Sequence, residues 1–337
     1  MNIKLYLISI YLLVFYNIFR LFNKRNDVLF IYSDSSNIYR NLDFVYDGLI
    51  KCDIVVKKAS NNYSIRTLML IAKSKFIIID QSVKILSLIK LKDTDVLQLW
   101  HGGGLFKKVA YDLCINDYER KLIDRKYRNI TYLNISSGSL VKEYSQMFNI
   151  DDKKITLFGM PRIDVFYNNL YMDRIKSKYS DVIKLNKKIV LFAPTYQING
   201  KTLNNSIDIE YIQSKLKDYI VLTSFHPNLG NKVCSDILPL VDILITDFSS
   251  ILFDFSFFKK TIILYIKNVD YNLLYVKPSE LVGDNFVCKN EDEVIELIKS
   301  NKKSIIQDKI FDSYMNCCNG FSTVNIVNFI INKLKGI

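Results

Sequence analysis

The sequence predicts an α/β protein built from two doubly wound domains, and three observations carry that prediction. From Asp27 onward, short runs of Ile, Val and Leu alternate with longer mixed stretches, the pattern of parallel strands buried on both faces and separated by helices. The alternation occurs twice, with a charged, polar stretch from Tyr171 to Lys187 between the two series. At 337 residues the chain exceeds what one core usually supports and suits two domains of about 150 residues each. Two such halves are expected to face each other across a cleft, with ligands held beyond the carboxyl ends of their strands.

The first element is apolar: Leu5 to Phe22 reads LYLISIYLLVFYNIFRLF. Asn17 and Arg20 interrupt it, leaving 12 residues, Leu5 to Tyr16, without a strongly polar side chain. A helix that crosses a bilayer needs roughly 20. No small-residue cleavage site follows, which argues against a removed signal peptide. The favoured reading of residues 1–25 is an interfacial helix or monotopic anchor. Tyr6, Tyr11 and Tyr16 suit the headgroup layer, and Lys24 and Arg25 suit anionic lipid. The other reading is a hydrophobic first helix packed on its own domain.

The first domain is expected over 26–180. Its strands are Val28–Tyr32, Ile54–Lys57, Phe76–Asp80, Val96–Trp100 and Ile130–Ile135. Helices lie between them at Ser64–Lys73, where Ile65, Leu68, Met69 and Ala72 share a face, and at Ser137–Phe148. The second domain is expected over 181–337, with strands Ile189–Ala193, Tyr219–Thr223, Val241–Thr246 and Thr261–Ile266. No internal repeat or low-complexity tail appears.

Composition narrows the partners. A formal charge of +12 favours phosphates, nucleic acid or an acidic membrane surface. Nucleic acid is the weakest of these, because the basic residues are scattered and no zinc-finger or RNA-binding signature is present. The six cysteines have neither metal-site nor disulfide-framework spacing, which fits a reducing compartment. The adjacent pair Cys317-Cys318 reads as two buried thiols rather than a redox element.

The chain has two histidines and one tryptophan. They occupy two short stretches, Trp100-His101-Gly102-Gly103-Gly104 and Phe225-His226-Pro227, each just after a predicted strand. Histidine titrates near neutral pH and is the usual choice for proton transfer. The three glycines permit close backbone approach and positive φ, and Lys107 and Lys108 add charge, so this loop can face a phosphate or simply make a tight turn. In Asp242-Ile-Leu-Ile-Thr246-Asp247-Phe248-Ser249-Ser250 a strand runs into a hydroxyl-rich turn before the helix-like Ile251–Phe258. That turn can cradle a diphosphate with Ser249 and Ser250, cap the helix, or do both. Gly159-Met160-Pro161-Arg162-Ile163-Asp164 and Pro194-Thr195-Tyr196 also follow strands. Arg162 can clamp a phosphate or pair with Asp164.

The order of these pieces resembles the CDP-glycerol glycerophosphotransferase family, which builds teichoic acids and related capsular polymers. The resemblance runs from about Asp95 to Asn325. It rests on Trp100-His101-x-x-Gly104-x-x-Lys107, Gly159-x-Pro161-Arg162-x-Asp164, Pro194-Thr195-Tyr196 and His226-Pro227. Thr246-Asp247-Phe248-Ser249-Ser250 with Phe253-Asp254, and Asn319-Gly320-x-Ser322-Thr323, complete it. It implies a GT-B fold of two Rossmann-like domains. It also implies transfer of a polyol phosphate, glycerol phosphate first, from a CDP-activated donor to a hydroxyl of a lipid-linked or saccharide acceptor. CMP leaves, and no metal or other cofactor takes part. The family's two functional histidines fall on His101 and His226. His101 is then the base toward the acceptor, and His226, Ser249 and Ser250 bind the donor diphosphate. Gly102, Gly103, Lys107, Arg162, Thr195 and Asp247 are the other expected substrate contacts. Such an enzyme works at the cytoplasmic face of a bacterial membrane. Gln197, where many relatives have Arg, and Asn319, where Asp is common, bear on the polyol or the acceptor. A GT-B glycosyltransferase using a nucleotide sugar and an inactive scaffold of a polymer-assembly complex are the alternatives.

Overall fold

The computed structural model describes residues 3–22, 27–32, 40–194, 207–223 and 236–336. The chain divides into two compact units. Unit 1 comprises Met1–His101, Val109–Asp164 and Cys317–Ile337, and unit 2 comprises Gly102–Lys108 and Val165–Asn316. Instead of one cut near residue 180, the chain passes from unit to unit at 101/102, 108/109, 164/165 and 316/317.

Unit 1 holds a six-stranded, wholly parallel sheet. Its strands are β1 (Asp27–Tyr32), β2 (Val56–Ser60), β3 (Ser74–Ile79), β4 (Asp95–Gln98), β5 (Tyr132–Asn134) and β6 (Ile155–Thr156). Their order is β2-β1-β3-β4-β5-β6, so the winding reverses between β1 and β3. Side chains alternate across a strand, and here both faces are apolar. Leu29, Ile31, Ile77 and Ile79 pack against Leu12 and Tyr16 of α1 (Ile3–Phe22) and against Leu68, Ile71 and Ala72 of the helix Ile65–Lys73. Val28, Phe30, Phe76 and Ile78 pack the other way, against Leu42, Val45 and Leu49 of α2 (Asn41–Lys51). The last helix, Ser322–Lys335, completes that second layer with Ile326, Val327 and Ile330. It approaches α2 so closely that a Cβ on Gly48 would lie 2.8 Å from Val327. This packing is why the C-terminal segment belongs to unit 1.

Unit 2 repeats the plan with five parallel strands: β7 (Lys188–Phe192), β8 (Tyr219–Thr223), β9 (Ile243–Thr246), β10 (Thr261–Tyr265) and β11 (Val287–Cys288). The order β11-β10-β9-β7-β8 again reverses, this time between β7 and β9. The α/β reading and the two doubly wound sheets are therefore present. β6 and β11 were not expected, because two residues are too few to show a periodicity. β2 runs later than the apolar run Ile54–Lys57 because it is an edge strand whose lysines stay in water.

The first helix combines features of both sequence readings. Leu12 and Tyr16 are 1% exposed and belong to the core of unit 1. Arg20 donates to the Tyr16 hydroxyl and to Asp93, each at 3.0 Å, and also to the Lys92 carbonyl, fixing the end of the helix. Tyr16 is thus not an outward headgroup residue, a correction to the expected role. The opposite stripe, with Tyr6, Leu7, Ile10, Leu13, Val14, Ile18 and Leu21, stays exposed. No described helix is long and apolar enough to cross a membrane. Replacing Leu12 by Ala should destabilise the protein by about 2–4 kcal/mol through the cavity left in the core. The neighbouring Leu13→Ala should cost less than about 0.5 kcal/mol. Urea unfolding of the two variants checks the difference, and equal midpoints would mean that α1 is not docked as described.

Candidate active site

In unit 1, β4 delivers Leu99-Trp100-His101 to the carboxyl edge of the sheet. Trp100 adopts φ +59°, a left-handed backbone that costs a bulky residue about 1–2 kcal/mol. Its ring lies 5.1 Å from Phe148 and 6.4 Å from Tyr144, edge-on to both. Burial pushes the Tyr144 phenol well above its ordinary value, and the nearby Trp100 indole acts in the opposite sense. The next residue, His101, is exposed, with its ring 4.5 Å from the indole. The strained turn thus anchors the tryptophan inward and leaves the imidazole at the surface.

A buried amide joins this turn to the Gly159–Asp164 segment. Asn41, 2% exposed at the start of α2, donates through Nδ2 to the Trp100 carbonyl, and its Oδ1 accepts from the Arg162 backbone N–H, both at 3.1 Å. The Arg162 guanidinium donates to the His101 carbonyl at 2.5 Å, so it braces the turn that carries the histidine. Asp164 accepts from the backbone N–H groups of Ser322 (3.1 Å) and Thr323 (2.7 Å) at the start of the last helix. Two of the sequence motifs therefore meet in a capping contact. Gly159, at φ +80°, lets the Cys317 backbone pass, since a Cβ there would lie 2.5 Å from the Cys317 carbonyl oxygen. Asn134, fully buried, holds the same segment by donating to the Gly159 carbonyl at 2.7 Å. The Cys318 thiol is buried and accepts from the Met160 N–H at 3.3 Å, while burial raises the Cys317 thiol pKa. Neither cysteine forms a disulfide; Cys318 is buried as expected, but Cys317 is only partly buried.

In unit 2, Gly102, Gly103 and Gly104 are buried, and among them Gly104 takes a positive φ of +62°. A Cβ on Gly102 would lie 2.7 Å from the Ser250 hydroxyl, and one on Gly104 would lie 2.4 Å from the Phe253 ring. The glycines thus let this loop lie directly on the turn after β9. Lys107 bridges to Leu274, and Phe106 accepts from the Tyr275 N–H at 2.9 Å, which ties the loop into unit 2. The surrounding protein lowers the Lys107 ammonium below its ordinary value, while the buried Asp247 carboxylate acts in the opposite sense. Ser249 accepts from the Ile251 N–H at 3.4 Å, a local turn bond, while Ser250, the N-cap residue of the helix that follows, makes no side-chain capping bond. The helix that follows is only Ile251–Phe255, so its dipole is short.

Five of the expected contacts thus gather in one place: Gly102, Lys107, Asp247, Ser249 and Ser250, with Gly103 inside the same loop. His101 and Arg162 sit together in unit 1. His226 and Thr195, with Gln197, lie outside the described residues. Among the described residues no cluster of His, Cys, Asp or Glu is arranged to hold a metal. The sequence reading missed Asn41 and Asn134. An Asn just before an apolar helical run looks like a helix cap, and its partners at 100 and 162 are remote in the chain.

Two parallel sheets of reversed winding define a GT-B-like protein, and solved structures agree. The wall teichoic acid polymerase TagF matches over 100% of this chain and 99% of its own, with a TM-score of 0.77 at 17% identity. The S. aureus MnaA structure with UDP shares the fold more distantly, with a TM-score of 0.56 at 12% identity over 93% of this chain and 98% of its own. The chain belongs to the CDP-glycerol:poly(glycerophosphate) glycerophosphotransferase family, whose model matches residues 11–332. Among characterised relatives, the teichoic acid glycerol-phosphate primase of Bacillus subtilis is 29% identical over 80% of this chain and 77% of its own. The teichoic acid poly(ribitol-phosphate) polymerase of Bacillus spizizenii is 27% identical over 94% of this chain. This chain spans 58% of that polymerase's length.

The Asn41 bridge makes a direct prediction. Asn41→Ala leaves the Trp100 carbonyl and the Arg162 N–H without their partner, so stability should fall by about 1–3 kcal/mol. Emission of Trp100, the chain's single tryptophan, should shift to the red as the turn loosens. An unchanged spectrum and unfolding midpoint would remove Asn41 from this role.

Proposed function

We propose that this protein transfers a polyol phosphate, glycerol phosphate first, from a CDP-activated donor to a hydroxyl of a lipid-linked or saccharide acceptor in teichoic acid or capsular polymer synthesis. The observation that carries the reading is the Trp100–His101 turn, which accepts left-handed backbone at a tryptophan to present an exposed imidazole at a strand end. His101 takes the proton of the acceptor hydroxyl, whose oxygen attacks the phosphorus bearing the polyol. The bond to CMP breaks and CMP leaves with the electron pair. His226, Thr195, Ser249 and Ser250 bind the donor diphosphate, with Lys107 supplying charge and Asp247 orienting the loop. Arg162 acts through the His101 backbone as a positioning residue. Relatives include both glycerol-phosphate and ribitol-phosphate enzymes, so both donors belong in the test.

Nucleotide release from CDP-glycerol, CDP-ribitol and a panel of nucleotide sugars tests this reading. CMP should be released only in the presence of acceptor, and His101→Ala should slow transfer about 100-fold or more while donor affinity is kept. Release of UMP or UDP without CMP would instead favour a sugar transferase.

The same reading puts the protein at a membrane surface, bound through the outward stripe of α1. Leu7 is 60% exposed and Leu21 80% exposed, far more than folding within unit 1 requires. Removing the helix would also strip Leu12 and Tyr16 from the core, so the test is substitution of Leu7, Ile10, Leu13, Val14 and Leu21 by Gln. That variant should stay folded but no longer sediment with vesicles containing anionic lipid. Undiminished sedimentation would place the membrane contact elsewhere.

A further inference from the structure

A cavity of about 480 Å³ opens at the carboxyl ends of β1 and β2, beside α2 and the helix Ile65–Lys73. Tyr32, Asp43, Lys58, Ser60, Asn62 and Arg66 line it. It lies on the sheet edge that also carries His101, since β2, β1, β3 and β4 are successive neighbours. Two to three strand spacings, roughly 10–14 Å, separate the cavity from the end of β4 along that edge.

Among the described residues the charges lining this cavity are not balanced. Asp43 is already engaged, accepting from the Tyr32 hydroxyl at 3.0 Å and from the Arg40 backbone N–H at 2.8 Å. Burial and this carboxylate hold Tyr32 far above the ordinary phenol value, so it remains a neutral donor. The Lys58 ammonium is held 3.5 Å from the centre of the Tyr46 ring, a cation–π contact that fixes the charge without neutralising it. Among the described residues neither Lys58 nor Arg66 pairs with a carboxylate. Asn62 uses its oxygen to accept from the Ser64 N–H and the Thr67 hydroxyl, which leaves its NH₂ group to donate. Two cations without a carboxylate partner among the described residues, set among amide and hydroxyl groups, match a phosphodiester flanked by hydroxyls.

We propose that this cavity is a subsite for a polyol phosphate unit of the acceptor, lying behind the unit whose hydroxyl reacts at His101. The proposal rests on the transferase reading above and adds to it the chemistry of the acceptor. In the full chain, a synthetic glycerol phosphate trimer should bind at least tenfold more weakly to the double variant K58Q/R66Q than to the unmodified protein. Ser60→Trp, which fills the cavity, should weaken binding likewise. Both substituted basic side chains are exposed, and melting temperature together with CDP-glycerol binding verifies that each variant is folded. In transfer assays the acceptor KM should rise at least tenfold while the donor KM stays fixed.

Equal trimer binding by all three proteins would overturn the subsite. So would loss of inorganic phosphate binding alone, which would mark an adventitious ion only, or loss of binding to neutral maltotriose instead of the trimer. Trimer binding that depends on Lys58 and Arg66, without CMP release from any CDP-polyol, would sustain the subsite and refute the transferase reading. CMP release with an unchanged acceptor KM in both variants would do the reverse.

Discussion

The turn that carries His101 in unit 1 depends on one buried carboxamide. Asn41 satisfies the Trp100 carbonyl with its NH₂ and the Arg162 N–H with its oxygen, and thereby joins three stretches of chain that sequence separates widely. The left-handed turn at Trp100 carries a backbone cost that the surrounding contacts must meet. They do so from two sides: edge-on packing against Tyr144 and Phe148 holds the ring, while Asn41 and Arg162 hold the carbonyls of Trp100 and His101.

Unit 2 shows the complementary strategy, in which side chains are left out. Gly102 and Gly104 have no room for a Cβ against Ser250 and Phe253, so the loop and the turn after β9 lie backbone against side chain. This brings Lys107 under the influence of the buried Asp247. The protein around the lysine favours loss of its charge and the carboxylate favours retention.

Much of this was legible in the chain. The doubly wound architecture follows from apolar runs that recur with strand length, and the glycine loop and the serine turn follow from composition at strand ends. Legibility failed where structure depends on distant partners. Asn41 and Asn134 look like ordinary loop or cap residues until their acceptors at 100 and 159 are brought beside them. Asp164 was read beside Arg162 because they are near in sequence, yet it caps a helix that begins at Ser322. The first helix was legible as apolar but not as two-faced. Tyr16 and Tyr6 carry the same side chain, and only docking against β1 and β3 separates the buried one from the exposed one.

The late return of the chain to unit 1 has a bearing on synthesis. Domains tend to fold as they emerge from the ribosome. The strands of unit 1 are made first, but the face formed by Val28, Phe30, Leu42 and Phe76 stays uncovered until Ile326, Val327 and Ile330 have been translated. By then the whole stretch Val165–Asn316 has been made. The unit that carries His101 is thus the last to be finished, and a message truncated before the final helix yields a protein with an open hydrophobic face, suited to capture by chaperones and proteases.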